Sequence, residues 1–306
     1  MSGSYFLDMS NLLMNGMGSN LFAKSGNLIS SIAPFFQAGF GLYMLLIALD
    51  YYKRGFDESI VDLSKRAIGW LVIIACAFNA GQYGKIANFL WGLPDGLSGL
   101  FGTSEYTASA LDNNFNYLMD MWSKIQAYAA GLSFSEVSDK LLIYFTGIVI
   151  LFLGGIFFIM TFAYYLVAKL SLAMVILIGP LFVASMLFPS TRQWGMNWIG
   201  QVLNYAITIV FFTILGALQN DFFNNHMKNV FTGEIFSAAI VLMALPVFVL
   251  GTLLFLIVAL NIPSIAAALT GGASANTYGR QVGRMGVMAF KALRGLGGGS
   301  GGKVSK

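Results

Sequence analysis

Residues 141–168, LLIYFTGIVILFLGGIFFIMTFAYYLVA, decide the fold class, because they contain no charged residue over 28 consecutive positions. About 20 apolar residues in a helix cross the hydrocarbon core of a bilayer. Inside lipid, a spanning segment must pair its own backbone groups, and a single helix does so. The stretch is therefore predicted to be a transmembrane helix.

The composition extends this prediction to the whole chain. Of its 306 residues, 57% are hydrophobic and 10% are charged, and the mean hydropathy is +0.74. A soluble domain has about 25% charged residues, so this chain is too poor in charge to cover a water-facing surface. The sequence predicts an all-α integral membrane protein.

Other apolar segments flank the longest one, and together they predict five to six transmembrane or re-entrant helices. These segments are residues 33–50, 67–83, 170–189, 198–218 and 235–260. The regions between them contain polar and amphipathic stretches, which predict additional periplasmic amphipathic helices.

The predicted organisation has five parts. They are a periplasmic amphipathic N-terminal arm (1–32), a first transmembrane pair (33–83), a central periplasmic region (84–139), the core transmembrane helices (140–260) and a cytoplasmic basic tail (261–306). No cleavable signal peptide is expected, because the first basic residue is Lys24, after a polar segment.

The distribution of Lys and Arg predicts the orientation, since short loops rich in these residues face the cytoplasm. The loop 51–66 carries Lys53, Arg54, Lys65 and Arg66, and the tail is also basic. The N-terminus is therefore predicted to be periplasmic and the C-terminus cytoplasmic, which requires an odd number of crossings.

Six apolar segments do not fit an odd count, so one of them should not cross fully. The first candidate is 170–189, where Gly179 and Pro180 would break a helix. The shorter run 67–83 is the second candidate.

Residues that could carry out chemistry are scarce. Cys76 lies alone in an apolar run and is expected to be a packing residue, and His226 lies in a polar loop. The tail has Gly297, Gly302 and Lys303 at the spacing of a phosphate-binding loop, but Val304 replaces the required Ser or Thr. We expect no catalytic residue, no metal site and no cofactor, and hence no enzyme.

A basic amphipathic helix is predicted near the C-terminus. Arg280, Arg284, Lys291 and Arg294 fall within one arc of roughly 80° when each residue advances 100°. Such a face is suited to anionic lipid. A topology anchor alone, or contact with an ATPase partner or nucleic acid, are the alternatives.

The most informative stretch is 164–210. It combines a lysine at the head of an apolar run, a helix break, a Thr-Arg pair, an interfacial tryptophan and polar groups within the next span. These residues are Lys169, Gly179, Pro180, Thr191, Arg192, Trp198, Asn204 and Tyr205. Packing and membrane-interface preferences explain Trp198 but do not explain the whole combination.

This combination resembles the TrbL-type family of polytopic inner-membrane proteins of bacterial type IV secretion and conjugation systems. The resemblance rests on KLSLA at 169–173, GPLF at 179–182, Thr191-Arg192 and Trp198 followed by Leu203-Asn204-Tyr205. The segment NIPSIAAALTGGAS at 261–274 also resembles the family.

The resemblance implies a structural channel or platform subunit that supports pilus assembly and the translocation of DNA or protein. It implies a homo-oligomer of five subunits in the bacterial inner membrane. The implied partners are membrane lipid, a minor pilin stalk protein, the major pilin, other inner-membrane components, secretion ATPases and a transient substrate. The alternative is a solute transporter or permease subunit, which would be expected to carry intramembrane charges or internal repeats.

Overall fold

The computed structural model describes residues 4–54, 60–101, 108–132, 137–228 and 238–271, and every regular element within these ranges is a helix. The prediction of an all-α protein is therefore confirmed. The helices are α1 (Tyr5–Arg54), α2 (Ile60–Phe78), α3 (Ala80–Leu100), α4 (Ala108–Gly131), α5 (Val137–Leu177), α6 (Gly179–Ser185), α7 (Arg192–Phe222) and α8 (Ala238–Leu269). A π-helical turn, Phe223–Lys228, follows α7 directly.

Helices α5, α7 and α8 form the core of the fold. Tyr164 of α5 stacks on Phe212 of α7 with ring centroids 5.4 Å apart. Phe157 of α5 meets Phe255 of α8 edge to face at 5.3 Å. These aromatic pairs fill the space between helices that are apolar on most of their surface, so the remaining surface is left to lipid or to other subunits.

Helix α4 packs closely along α5 because α5 has glycines at the contact. A Cβ atom on Gly154 would lie 2.6 Å from a methyl carbon of Leu118, and one on Gly147 would lie 2.8 Å from Ile125. Both Leu118 and Ile125 are fully buried. The two glycines therefore allow an amphipathic helix to cover one face of the longest apolar run.

Helix α1 is continuous over 50 residues, so the predicted arm (1–32) and the first span share one helix. Its N-terminus is held by α4. The backbone N–H groups of Phe6 and Leu7 each donate to the carboxylate of Asp112, both at 2.9 Å. This carboxylate satisfies donors that the first turn of a helix leaves without partners.

Among the described residues, four helical segments are long and apolar enough to cross a membrane: Lys24–Lys53, Val137–Leu177, Arg192–Asn225 and Leu245–Leu269. The pair Ser64–Phe78 and Ala80–Leu100, bent by 83°, would make a fifth crossing. The chain is therefore a multi-pass protein. Five crossings would fit the predicted odd number, and the sides on which the termini lie stay predictions.

Two sequence segments are corrected by this arrangement. Residues 170–177 are not the start of a separate membrane segment, because they continue α5, and only the short α6 follows the break. The run 67–83 is not one helix either, because it divides at Asn79. The side chain of Asn79 accepts a hydrogen bond from the N–H of Gln82 at 3.1 Å and caps α3.

The central region (84–139) lies along α5 rather than beyond one of its ends. Its first part, in α3, reaches Lys169, and its later part, in α4, packs at Gly147 near the opposite end of the apolar run. The described parts of this region, α3 and α4, thus pack along the length of α5. The side of the membrane on which the region lies stays a prediction.

Candidate functional site at the Gly-Pro break

Lys169 is a buried cation at the end of the uncharged run of α5. The residue is 3% exposed, and its Nζ donates to both carboxylate oxygens of Asp95, at 2.7 and 2.8 Å. The Nζ also lies 5.2 Å from the ring centroid of Trp91 and 5.7 Å from that of Tyr165. A buried cation is costly unless it is paired, and here a carboxylate and two aromatic faces meet it.

The side chain of Asp95 is 57% exposed, in contrast to that of Lys169. The pair therefore connects a buried position on α5 with the surface of α3. The chain encloses the carboxylate only partly, whereas Lys169 is enclosed and depends on the carboxylate for its charge compensation.

The Gly179-Pro180 pair ends α5 and begins α6, as the sequence predicts for a helix break. Proline has no backbone N–H, so Pro180 cannot donate to the carbonyl four residues earlier, that of Ile176. The hydroxyl of Tyr83 donates to this carbonyl instead, and Tyr83 is fully buried. The carbonyl that the break leaves without a helical donor is thus satisfied by a side chain from α3.

A second side chain, from α7, also donates a hydrogen bond to a backbone carbonyl at the break. The indole N–H of Trp198 donates to the carbonyl of Val175 at 2.8 Å. Trp198 is 7% exposed, so it is buried among the neighbouring helices. The packing that the sequence predicts for this tryptophan is observed, and its location at the membrane interface stays a prediction.

Gly179 cannot carry a larger side chain in this arrangement. A Cβ atom there would overlap the Tyr83 hydroxyl and would lie 2.6 Å from a ring carbon of Trp198. Glycine is therefore required because two side chains close on the backbone, rather than because of a left-handed conformation.

Thr191 and Arg192 lie where the chain turns from α6 into α7. The Thr191 hydroxyl donates to the carbonyl of Ser185 at 2.7 Å. Arg192 is the first residue of α7 and is exposed. Thr191 thus closes the connection, while Arg192 is available at the surface.

Asn204 and Tyr205 line a cavity of about 160 Å³ between α5, α7 and α8. Its lining consists of Tyr164, Val167, Ala168, Ser171, Asn204, Tyr205, Thr208, Phe212, Pro263, Ser264 and Ala267. Within the described residues the Oδ1 atom of Asn204 is buried without a hydrogen-bond partner. Asn204 thus contributes a buried, unpaired acceptor next to a mostly apolar cavity.

The structure brings most of the predicted residues together at one end of the α5–α7–α8 core. The sequence does not indicate the partners from α3, namely Tyr83, Trp91 and Asp95. Asp95 is one of six acids in the central region, and nothing in the sequence distinguishes it. The pairing depends on how α3 packs against α5, which hydropathy patterns do not encode.

Other predicted sites cannot be placed in the fold. Arg280, Arg284, Lys291 and Arg294 lie outside the described residues, as does the glycine-rich tail. Cys76, in α2, is partly buried and forms no disulfide. Within the described ranges, no three His, Cys, Asp or Glu residues are grouped closely enough to hold a metal ion.

The fold and the site define a polytopic all-helical membrane protein with a Gly-Pro break stabilised by neighbouring helices. Residues 40–262 match the family described as TrbL/VirB6 plasmid conjugal transfer protein, and the chain belongs to this family. The matched range includes all the residues of the break and of the Lys169–Asp95 pair.

Two relatives carry the name Type IV secretion system protein VirB6. The protein from Bartonella quintana (strain Toulouse) is 23% identical over 272 residues, which are 89% of this chain and 81% of the relative. The protein from Bartonella henselae (strain ATCC 49882 / DSM 28221 / CCUG 30454 / Houston 1) is 24% identical over 220 residues, which are 70% and 64% of the two chains.

Proposed function

We propose that this chain is a structural inner-membrane subunit of a type IV secretion system. The observation that carries the proposal is the family match over residues 40–262, because it includes the spans Val137–Leu177 and Arg192–Asn225 completely and parts of the other two. The names of the two relatives support the same function. The match favours this function over that of a solute transporter or permease subunit.

In the proposed function the subunit acts by assembly and supplies no catalytic group. It forms an oligomer of five copies, supports pilus assembly, and works with the minor pilin stalk, the major pilin, the secretion ATPases and other inner-membrane components. The exposure of large apolar side chains on α1, such as Phe35 at 80% and Leu42 at 62%, supports contacts with lipid or neighbouring subunits.

The proposed orientation has a periplasmic N-terminus and a cytoplasmic C-terminus. Lys169 and Arg192 then lie toward the cytoplasmic end, in agreement with the positive-inside rule. Because Asp95 pairs with Lys169, the first part of the central region reaches the same depth. Passage of DNA or protein substrate, by this proposal, occurs within an assembly that this end of the bundle helps to build.

Deletion of the gene, followed by complementation, tests the proposal. Loss of substrate transfer and of pili is expected in the deletion strain, and the full-length chain should restore both. A strain carrying Tyr52→Phe, a change at a position that is 88% exposed, serves as a matched control for expression. Unchanged transfer and pili after deletion would contradict the proposal, whereas a defect only in uptake of a small solute would favour the permease.

A further inference from the structure

A second, much smaller cavity lies between α5, α7 and α8, farther from the Gly-Pro break than the cavity at Asn204. Its volume is about 10 Å³. Its lining consists of Ile156, Phe157, Met160, Thr161, Gln219, Thr252, Phe255, Leu256 and Ala259. Each of the three core helices contributes one polar side chain to this otherwise apolar lining.

The three polar side chains are deeply buried and incompletely bonded. Thr161 is 1% exposed, Gln219 2% and Thr252 3%. The Thr161 and Thr252 hydroxyls and the Gln219 Oε1 atom have no hydrogen-bond partner within the described part of the chain. They line one cavity but do not bond to one another, and leaving three such atoms unsatisfied would be costly.

The two threonines differ from others in the same core. The hydroxyls of Thr208 and Thr213 donate to the helix carbonyl four residues earlier, at 2.7 and 2.9 Å. This local bond is the usual solution for threonine inside a helix. Thr161 and Thr252 do not make it, so their hydroxyls stay available to a molecule in the cavity.

A hydrogen bond from Nε2 fixes the orientation of the Gln219 amide. Its Nε2 donates to the backbone carbonyl of Phe157 at 3.2 Å. This bond engages the donor side of the amide and leaves Oε1 as the free acceptor. The cavity thus offers two hydroxyls, which donate or accept, and one acceptor.

We propose that this cavity binds one water molecule that bridges α5, α7 and α8. The volume corresponds to about one water, since such a site needs roughly 10–15 Å³ and two to four polar partners. The water donates to Gln219 Oε1 and to one threonine hydroxyl, and accepts from the other threonine. A hard metal cation is disfavoured, because it requires about six oxygen ligands.

The bridging water makes the three side chains an energetic unit, which a set of stability measurements tests. Thr161→Val, Gln219→Leu and Thr252→Val are compared singly and together in the full-length protein in detergent. Each single change leaves the water and the remaining groups under-bonded and is expected to lower Tm by about 2–4 °C. The triple variant removes all three polar side chains from the cavity. Its decrease in Tm should be clearly smaller than the sum of the three single decreases.

Thr213→Val is the matched control, since that hydroxyl bonds within its own helix. The Tm shift of Thr213→Val should add to that of the triple variant, because this residue does not bond to the water. Single variants that leave Tm unchanged or raise it would overturn the proposal. That result is expected if the cavity holds no water, because each polar atom would then be unsatisfied and its removal would not destabilise the protein. Strictly additive shifts would overturn it as well.

Two further measurements distinguish water from other occupants. A structure of the wild-type protein in its membrane assembly, at a resolution that shows waters, should contain one density peak within hydrogen-bonding distance of all three atoms. An empty cavity would contradict the proposal. Tm should be the same in sodium chloride and in choline chloride of equal ionic strength. A higher Tm in sodium chloride would contradict the proposal and would indicate that the cavity binds a cation.

Discussion

The hydroxyl of Tyr83 donates a hydrogen bond to the backbone carbonyl of Ile176, the carbonyl that Pro180 deprives of its helical donor. Trp198 bonds the preceding carbonyl, that of Val175. The break between α5 and α6 is therefore built from three parts of the chain that are distant in sequence. It links α3, α5 and α7 at one end of the bundle.

Removing the Tyr83 hydroxyl tests this link. Tyr83→Phe keeps the ring but leaves the Ile176 carbonyl buried without a donor, which is expected to lower the free energy of unfolding by about 1–2 kcal/mol. Thermal unfolding in detergent provides the measurement. Tyr52→Phe makes the same chemical change at a position that is 88% exposed, and equal stability losses in the two variants would contradict the assigned bond.

Adding a single methyl group at Gly179 should be more damaging. The new Cβ in Gly179→Ala would overlap the Tyr83 hydroxyl and crowd the Trp198 ring. We expect a loss of about 1–3 kcal/mol and reduced accumulation in the membrane, which immunoblotting measures. Gly155→Ala is the control, since a Cβ there meets no atom within 4 Å. Normal accumulation of the Gly179 variant would show that Tyr83 and Trp198 do not pack against Gly179 as described.

The Lys169–Asp95 pair should respond asymmetrically to substitution. Asp95→Asn leaves a buried cation without its carboxylate and is expected to cost roughly 1–2 kcal/mol, a value reduced by the exposure of Asp95. Adding Lys169→Met to this variant should recover much of the loss, because the unpaired charge is removed.

Asp120→Asn supplies the control for this pair, since it neutralises an exposed carboxylate on α4. Thermal unfolding of the single and double variants gives the coupling energy. Independent, additive losses would mean that Lys169 and Asp95 do not act as a pair in the membrane.

The carboxylate of Asp112 should hold the N-terminus of α1. Asp112→Ala removes the acceptor for the N–H groups of Phe6 and Leu7, so those amides should exchange with deuterium at least several-fold faster. Hydrogen exchange with mass spectrometry measures the change. Asn113→Ala, at the exposed neighbouring position, should leave the exchange unchanged, and slow exchange in the Asp112 variant would show that other contacts hold this end.

The fold class could be predicted because an uncharged run of 28 residues has few alternatives. The length of α5 could not be, since hydropathy treats Lys169 as the end of a segment. In the structure its charge is compensated by Asp95, so the helix continues through it to Leu177. The charge of Lys169 makes the sequence predict a separate segment from residue 170, and the ion pair explains why the helix continues instead.

The site was partly predictable for a related reason. Gly179 and Pro180 predict a helix break because of their covalent structure alone. The groups that satisfy the break come from α3 and α7, and Tyr83 is 93 residues from Ile176. Such a pairing follows from tertiary packing, so single-sequence patterns indicate that a partner is needed but not which residue supplies it.

Affinity purification of the tagged full-length chain from native membranes, followed by mass spectrometry, tests the central claim most directly. Membership in a type IV secretion system predicts that several copies of the chain purify together with secretion ATPases and pilin subunits. Asp95→Asn and Asp120→Asn variants, run in parallel, would show whether the assembly depends on the buried pair. Recovery with a solute-binding protein, or as a monomer without secretion components, would contradict the account.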